Sequence, residues 1–214
     1  MAGISHTWYA RLEQGKQVTP SGAALGRIAE VLQLAPAERA YLFEVARRVD
    51  PNGVSNFAGE VASKTIEACV LSISYPACVL DKYWTVLFWN AELEDLFPRW
   101  LKGPERNVLR YMFLDPSVKA LVGDWEPRAR RLLAQFRVEF GRYIDDPQMV
   151  DLIQGLSEAS DLFQRFWSEQ QVLLWDGNEK SFNHPLRGLL TFFQVTFLAA
   201  ADPSLKLVIL RPCS

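Results

Sequence analysis

Pro76-Ala77-Cys78-Val79-Leu80-Asp81 and Trp84-Thr85-Val86-Leu87-Phe88-Trp89-Asn90 are two short runs of β-branched and aromatic residues, separated only by Lys82 and Tyr83. Such runs, bounded by turn residues, form extended strands that pair when little chain lies between them. The spacing predicts a hairpin with its turn at Asp81 to Tyr83. Toward the C-terminus the period changes. Segments 91–97, 104–114, 116–143, 147–156 and 160–170 each begin near a Pro, Ser or acidic residue and carry apolar residues at helical spacing. Beyond Trp175 the strand pattern returns at 180–183, 188–199 and 206–210, with a last turn at Ala201-Asp202-Pro203-Ser204. Two strands, a run of helices and three strands predict an α+β domain with one antiparallel sheet.

Toward the N-terminus, 61–69 reads as a helix, and Asp50-Pro51-Asn52-Gly53 is the clearest break in the chain. Proline disfavours helix at the residue before it, and Asn-Gly favours a turn. The expected organisation is therefore a small all-α segment over 1–50 and a larger domain over 51–214. In the small segment Ser5 suits the cap of a helix that ends at Gly15, and a polar loop follows from Lys16 to Thr19. Pro20 and Ser21 open a second helix with Leu25, Ile28, Ala29 and Leu32 on one face. Pro36 and Glu38 start a third, with Tyr41, Leu42 and Val45 as its apolar stripe and Arg47 and Arg48 at its C-terminal end.

Composition narrows the function classes. Of 214 residues 49% are hydrophobic and 12% aromatic, with seven Trp and thirteen Phe, enough to fill a substantial core. A net charge of −2 excludes a protein that coats nucleic acid through overall basicity, so any DNA contact is local. Cys69, Cys78 and Cys213 form no CxxC pair and suggest neither a disulfide framework nor a zinc site. No basic leader followed by an apolar run is present, and no stretch approaches the roughly 18 apolar residues that span a bilayer. The expected location is the cytoplasm, with no membrane association. Nucleophile elbow, HExxH and phosphate-binding glycine loop are all missing. Cys78 with His184 offers a nucleophile and a base but no orienting third group, and His184 is expected to cap a strand end by hydrogen bonding. Neither catalytic residues nor a metal or cofactor set is expected.

The segment Ala2-Gly3-Ile4-Ser5-His6-Thr7-Trp8-Tyr9-Ala10-Arg11-Leu12-Glu13-Gln14-Gly15 resembles the recognition-helix region of Xre-type helix-turn-helix regulators, and Ser21 to Leu34 resembles the helix packed behind it. Further on, Pro76-Ala77, Trp89-Asn90, Arg106-Asn107 with Arg110, Phe113-x-Asp115-Pro116, Asp124-Trp125-Glu126, Phe166-Trp167 and Phe182-Asn183-His184-Pro185 occur in the order seen in MmyB-like transcription regulators. That resemblance covers nearly the whole chain. It implies a helix-turn-helix followed by a PAS-like ligand-binding fold. Members carry two further helices before the Ala-Gly-x-Ser turn, so the segment is expected to be an N-terminally truncated helix-turn-helix.

For DNA contact the resemblance and the helix placement point to His6, Thr7, Tyr9 and Arg11, near the N-terminal part of a recognition helix, with Lys16 and Gln17 placed to meet phosphate. Residues 1–50 hold six Lys and Arg against five acids, so charge alone favours a solvated face and only the motif argues for DNA. For ligand binding, Trp84, Leu87, Trp89, Phe113, Phe166, Phe192 and Phe197 are candidate walls of an apolar pocket, with ordinary core packing open for each. Asn90 and Asn107 join them as polar candidates. Arg106 and Arg110, four apart on the expected helix, share a face that could grip a carboxylate. The expected function is a DNA-binding regulator whose PAS-like domain senses a small apolar molecule such as a fatty acid, with double-stranded DNA and a second copy of the chain as partners. A stand-alone PAS-like binding or interaction protein without DNA binding is the alternative.

Overall fold

The computed structural model describes residues 6–14, 20–46, 48, 50, 60–169, 179–199 and 202–213. They belong to two compact units that divide at residue 54. Ser5, Gly15 to Thr19, Arg47 and the Pro51-Asn52-Gly53 turn, each assigned a role from sequence, lie outside the described residues.

In the first unit, α1 (His6–Glu13) precedes α2 (Gly22–Val31) and α3 (Pro36–Val45). Ser21 caps α2 as its side chain predicts: Oγ accepts the Ala24 N–H at 3.2 Å. Leu25, Ile28 and Ala29 are buried as their spacing requires, but Leu32 terminates the helix and is exposed. Pro36 opens α3, where the Glu38 carboxylate accepts the Ala35 N–H at 2.8 Å. The stripe expected on α3 differs from the one observed. Phe43 is the buried residue, whereas Tyr41 and Val45 are 68% and 64% exposed. Arg39 explains the rotation: its guanidinium bonds the Asp50 carboxylate, with Nη2 to Oδ1 at 2.7 Å, and lies over the Phe43 ring beside Gly26 of α2.

The second unit begins with α4 (Glu60–Leu71), then β1 (Ala77–Leu80) and β2 (Val86–Trp89). The helices are α5 (Ala91–Leu96), α6 (Pro98–Leu101), α7 (Val108–Leu114), α8 (Val118–Leu121), α9 (Trp125–Arg142), α10 (Pro147–Ala159) and α11 (Asp161–Ser168). The chain closes with β3 (Glu179–His184), β4 (Gly188–Ala199) and β5 (Asp202–Pro212). Among the described residues these strands form one antiparallel sheet in the order β2-β1-β5-β4-β3. This is the α+β architecture expected. One face of the sheet packs through Ala77, Val79 and Ile209 on Val70 and Ile66 of α4. The other, carrying Cys78, Leu80, Phe182 and Leu210, packs on the helices that follow β2.

Three departures from the expected boundaries are found, and the first two have tertiary causes. The helix expected from 104 begins at Val108, because the backbone before it bridges the hairpin: Val86 N–H donates to the Arg106 carbonyl at 2.9 Å, and Val108 N–H to the Trp84 carbonyl at 2.9 Å. The single helix expected over 116–143 is two, α8 and α9. Between them Gly123 lies so close to the Asn183 amide that a Cβ there would meet it at 3.0 Å. Finally, Asp202 to Ser204, expected as a turn, opens β5. No helix among the described residues is long and apolar enough to cross a membrane.

Candidate ligand-binding cavity

Strand alternation builds the floor of a cavity of about 460 Å³. On β5, Lys206, Val208 and Leu210 face it, and the register places Leu198, Thr196 and Gln194 of β4 directly opposite them. Lys180 and Phe182 of β3 and Cys78 and Leu80 of β1 extend the same surface. Tyr111 and Met112 of α7, Trp100 of α6 and Leu132 of α9 form the roof, with Phe97, Val118 and Val122 closing gaps. The volume falls within the ~300–1,000 Å³ usual for small-molecule pockets, and apolar walls with a few polar groups are their usual lining.

Trp84 lines this space in an unusual backbone conformation, φ +63°. A bulky residue there is strained by roughly 1–3 kcal/mol and persists only when its surroundings over-determine it. They do. Asp81 Oδ1 accepts the N–H groups of Tyr83 and Thr85 at 2.9 and 2.8 Å, and the Asp81 carbonyl accepts that of Trp84 at 3.1 Å. The Trp84 ring meets Phe136 of α9 edge-on at 5.3 Å. Its indole N–H is buried without a hydrogen-bond partner, as is that of Trp100.

The charged groups divide between two ends of α9. Near its start, Arg128 lies over Phe182 at 5.0 Å and donates from Nη1 to the Ser181 carbonyl at 2.9 Å, while its Nε is buried and unpartnered. Burial and the neighbouring Arg131 depress the Arg128 value, opposed by Asp124. Lys180, next along β3, is pushed down to about 8 by burial and then by Arg128 and Arg131. No carboxylate among the described residues pairs with Lys180 or Arg128. Near the other end, the Lys206 ammonium contacts the Glu139 carboxylate through Oε2, leaving Glu139 Oε1 buried and unpartnered. Burial lowers the Lys206 value to about 8, against the pull of Asp81, and the contact with Glu139 favours the charged form.

The residues expected at the site separate into distinct groups. Trp84 lines the cavity. Leu87 is the extra residue of a β-bulge between the Val79–Phe88 and Leu80–Val86 pairs and is exposed. Trp89 packs beside the core, its ring under the Arg106 guanidinium at 4.6 Å. Arg106 bonds the Gly103 carbonyl and precedes α7, so it shares no helix face with Arg110, which lies beside Gly155 of α10. Asn90 and Asn107 are fully used as helix caps. Asn90 Oδ1 accepts from Leu93 and Ala77 while its amide donates to the Ile73 and Tyr75 carbonyls. Asn107 serves α7 in the same way. Phe113 and Phe166 pack with Trp125 and Phe163 in an aromatic cluster of the core. Phe192 packs on Phe182. Phe197, paired with Leu207 and 53% exposed, lies on the sheet face away from the cavity.

Lys180, Arg128 and Lys206 are the charged lining residues that sequence reasoning passed over, and Gln135, Gln194 and Thr196 are neutral polar ones. A signal existed for the first: strand alternation puts Lys180 on the face of Phe182. Of the groups with reactive potential, Cys78 lines the cavity, but burial raises its thiol to about 12. His184 holds a turn, with Nδ1 accepting from the Leu186 and Arg187 N–H groups and Nε2 donating to the Asp95 carbonyl at 3.0 Å. Among the described residues no His, Cys, Asp and Glu cluster could hold a metal ion.

On α1, Thr7 and Arg11 are exposed. Lys16 and Gln17 and the side chains of His6 and Tyr9 lie outside the described set.

Residues 63–213 match the family model of the MmyB-like transcription regulator ligand binding domain, and residues 1–42 match that of a helix-turn-helix domain. No curated protein matches the chain.

Proposed function

The chain belongs to the MmyB-like transcription regulators, with a helix-turn-helix ahead of a ligand-binding domain, and on that premise we propose that the domain binds an amphiphile with an anionic head, of which a fatty acid is the simplest example. The observation that carries this reading is the pairing of an apolar cavity with two half-buried cations in its lining, Lys180 and Arg128, neither of which forms an ion pair among the described residues. A buried cation without a counter-ion is costly, and an incoming carboxylate relieves that cost while its chain fills apolar space. Such a ligand has differential affinity for conformations that hold Tyr111 and Met112 of α7 against the sheet, and so shifts the population competent for DNA. Thr7 and Arg11, with His6, Tyr9, Lys16 and Gln17, are the proposed contacts to double-stranded DNA.

The test is calorimetric titration of the full chain with saturated carboxylates of increasing length, run beside the matching alcohols. Micromolar or tighter binding of the carboxylate and at least tenfold weaker binding of the alcohol is expected. Equal affinities, or none for either series, would overturn the reading. A chain that binds the carboxylate but no DNA would be a stand-alone binding protein.

A further inference from the structure

Helix and strand geometry gather three cations beside one part of the cavity lining. On α9, Arg128, Leu132 and Gln135 line the cavity at i, i+4 and i+7, and Arg131, three residues after Arg128, lies on the same stripe of the helix. Arg128 ties this stripe to β3, because Nη1 donates to the Ser181 carbonyl at 2.9 Å and the guanidinium lies over Phe182 at 5.0 Å. Lys180, two residues before Phe182, faces the same side of the sheet. The charges act on one another: Arg131 on both Arg128 and Lys180, and Arg128 on Lys180.

The carboxylates that could answer this charge are engaged elsewhere. Glu126 and Glu169 pair with Arg130, and Glu139 pairs with Lys206. Among the described residues Asp124 is the carboxylate that acts on the cluster, through Arg128 and without an ion-pair contact. Three positive charges against one negative leave a local balance of +2. The donors are also within reach. Arg128 Nε is enclosed, but Arg128 Nη2 and Lys180 Nζ make no hydrogen bond among the described residues and, unlike Nε, are not sealed from solvent. A carboxylate head would answer half of this charge. A phosphate monoester carries about two negative charges at neutral pH and three acceptor oxygens, which guanidinium forks and a lysine ammonium are suited to receive. We propose that the head of the ligand is a dianion, a phosphate monoester of an aliphatic alcohol, held by Lys180, Arg128 and Arg131 while its chain fills the apolar remainder of the cavity. The inference rests on the cavity being the site of an anionic amphiphile, as proposed above, and names the head it takes. Arg131, half-buried beside the lining, then supplies the charge that separates a phosphate from a carboxylate.

Decyl phosphate, decyl sulfate, decanoate and inorganic phosphate are titrated calorimetrically into the full chain at neutral pH, each alkyl compound below its micelle concentration. Decyl phosphate is expected to bind roughly tenfold more tightly than decanoate, the effect of a further charged hydrogen bond. Decyl sulfate, with three free oxygens but a single charge, should bind like decanoate. Inorganic phosphate, which fills no apolar space, should bind at least about tenfold more weakly than decyl phosphate. Arg131→Gln should cost decyl phosphate about tenfold in affinity and decanoate less than ~threefold. Equal affinity of decyl phosphate and decanoate, or decyl sulfate matching decyl phosphate, would overturn the dianionic head and leave the anionic-amphiphile reading standing. Equal losses for the two ligands in Arg131→Gln, or inorganic phosphate binding as tightly as decyl phosphate, would overturn it as well. Binding of none of the alkyl anions would remove both. The comparison among ligands in the unsubstituted chain decides the matter even if Arg131→Gln does not fold.

Discussion

The Asn107 amide donates to the Tyr83 carbonyl at 2.7 Å, fastening the start of α7 to the turn that presents Trp84. Its oxygen accepts the N–H groups of Leu109 and Arg110 at 3.0 and 3.1 Å. One buried side chain thus sets the distance between the hairpin and the helix that roofs the cavity. Asn107→Ala removes a cap and takes the donor from a half-buried carbonyl, so it should lower unfolding free energy by about 1–2 kcal/mol in urea. A change under ~0.5 kcal/mol would contradict this placement.

Lys180→Met should separate function from stability. The native ammonium is half-buried between Arg128 and Arg131, and its removal relieves repulsion and desolvation. Allowing for solvent screening, a gain of roughly 1 kcal/mol in the ligand-free protein is expected. Affinity for a carboxylate should fall about tenfold or more, as loss of a charged hydrogen bond implies. Thermal unfolding with and without dodecanoate measures both effects.

Binding should depend on pH through the same group. In the free protein Lys180 titrates near 8, and a bound carboxylate raises that value. Affinity should be level below about 8 and decline as pH climbs through it, with proton uptake on binding at pH 8. Calorimetry in two buffers of different ionisation enthalpy reads the uptake directly. Stability of the ligand-free domain runs the other way. Between about 8 and the ordinary lysine value of 10.5 the unfolded chain holds more protons at this position, so this residue's contribution to folding rises with pH across that window.

Phe113→Leu tests the division between core and cavity. The Phe113 ring meets Trp125, Phe163 and Phe166 edge-on and does not line the cavity. Loss of these contacts should cost about 1–2 kcal/mol of stability while carboxylate affinity changes by less than ~twofold. A tenfold loss of affinity at unchanged stability would move the ligand site to the aromatic cluster.

Arg11→Ala should weaken DNA binding nearly uniformly across sequences and reduce the slope of log affinity against log salt by roughly 1, if this exposed residue neutralises a phosphate. Fluorescence anisotropy over a salt series gives both quantities. An unchanged slope would remove Arg11 from the DNA contacts.

The elements were legible in the sequence because they follow from local rules: the β-branched and aromatic run from Val86 to Trp89, the proline at the start of α10, the serine before α2. What was not legible depends on residues far apart in the chain. Nothing near Gly123 announces that Asn183 will press against it, and nothing near Asn107 that Val108 will bond Trp84 rather than begin its helix earlier. Large aromatic side chains mark core and pocket wall alike, which is why Trp84 and Phe166 read the same but lie in different surroundings. The decisive cations were hidden for the opposite reason. Lys180 and Lys206 look like ordinary strand-surface residues until the helices over the sheet bury them.

The order β2-β1-β5-β4-β3 puts β5, which follows the other four strands in the sequence, in the middle of the sheet. Until β5 emerges, β1 has no neighbour on one side and β4 none on the other. The cavity, whose floor includes Lys206, Val208 and Leu210, does not exist. The matched helix-turn-helix segment, by contrast, precedes every strand in the sequence. A chain cut short before β5 would keep the helix-turn-helix segment and lose the central strand on which the cavity floor is built.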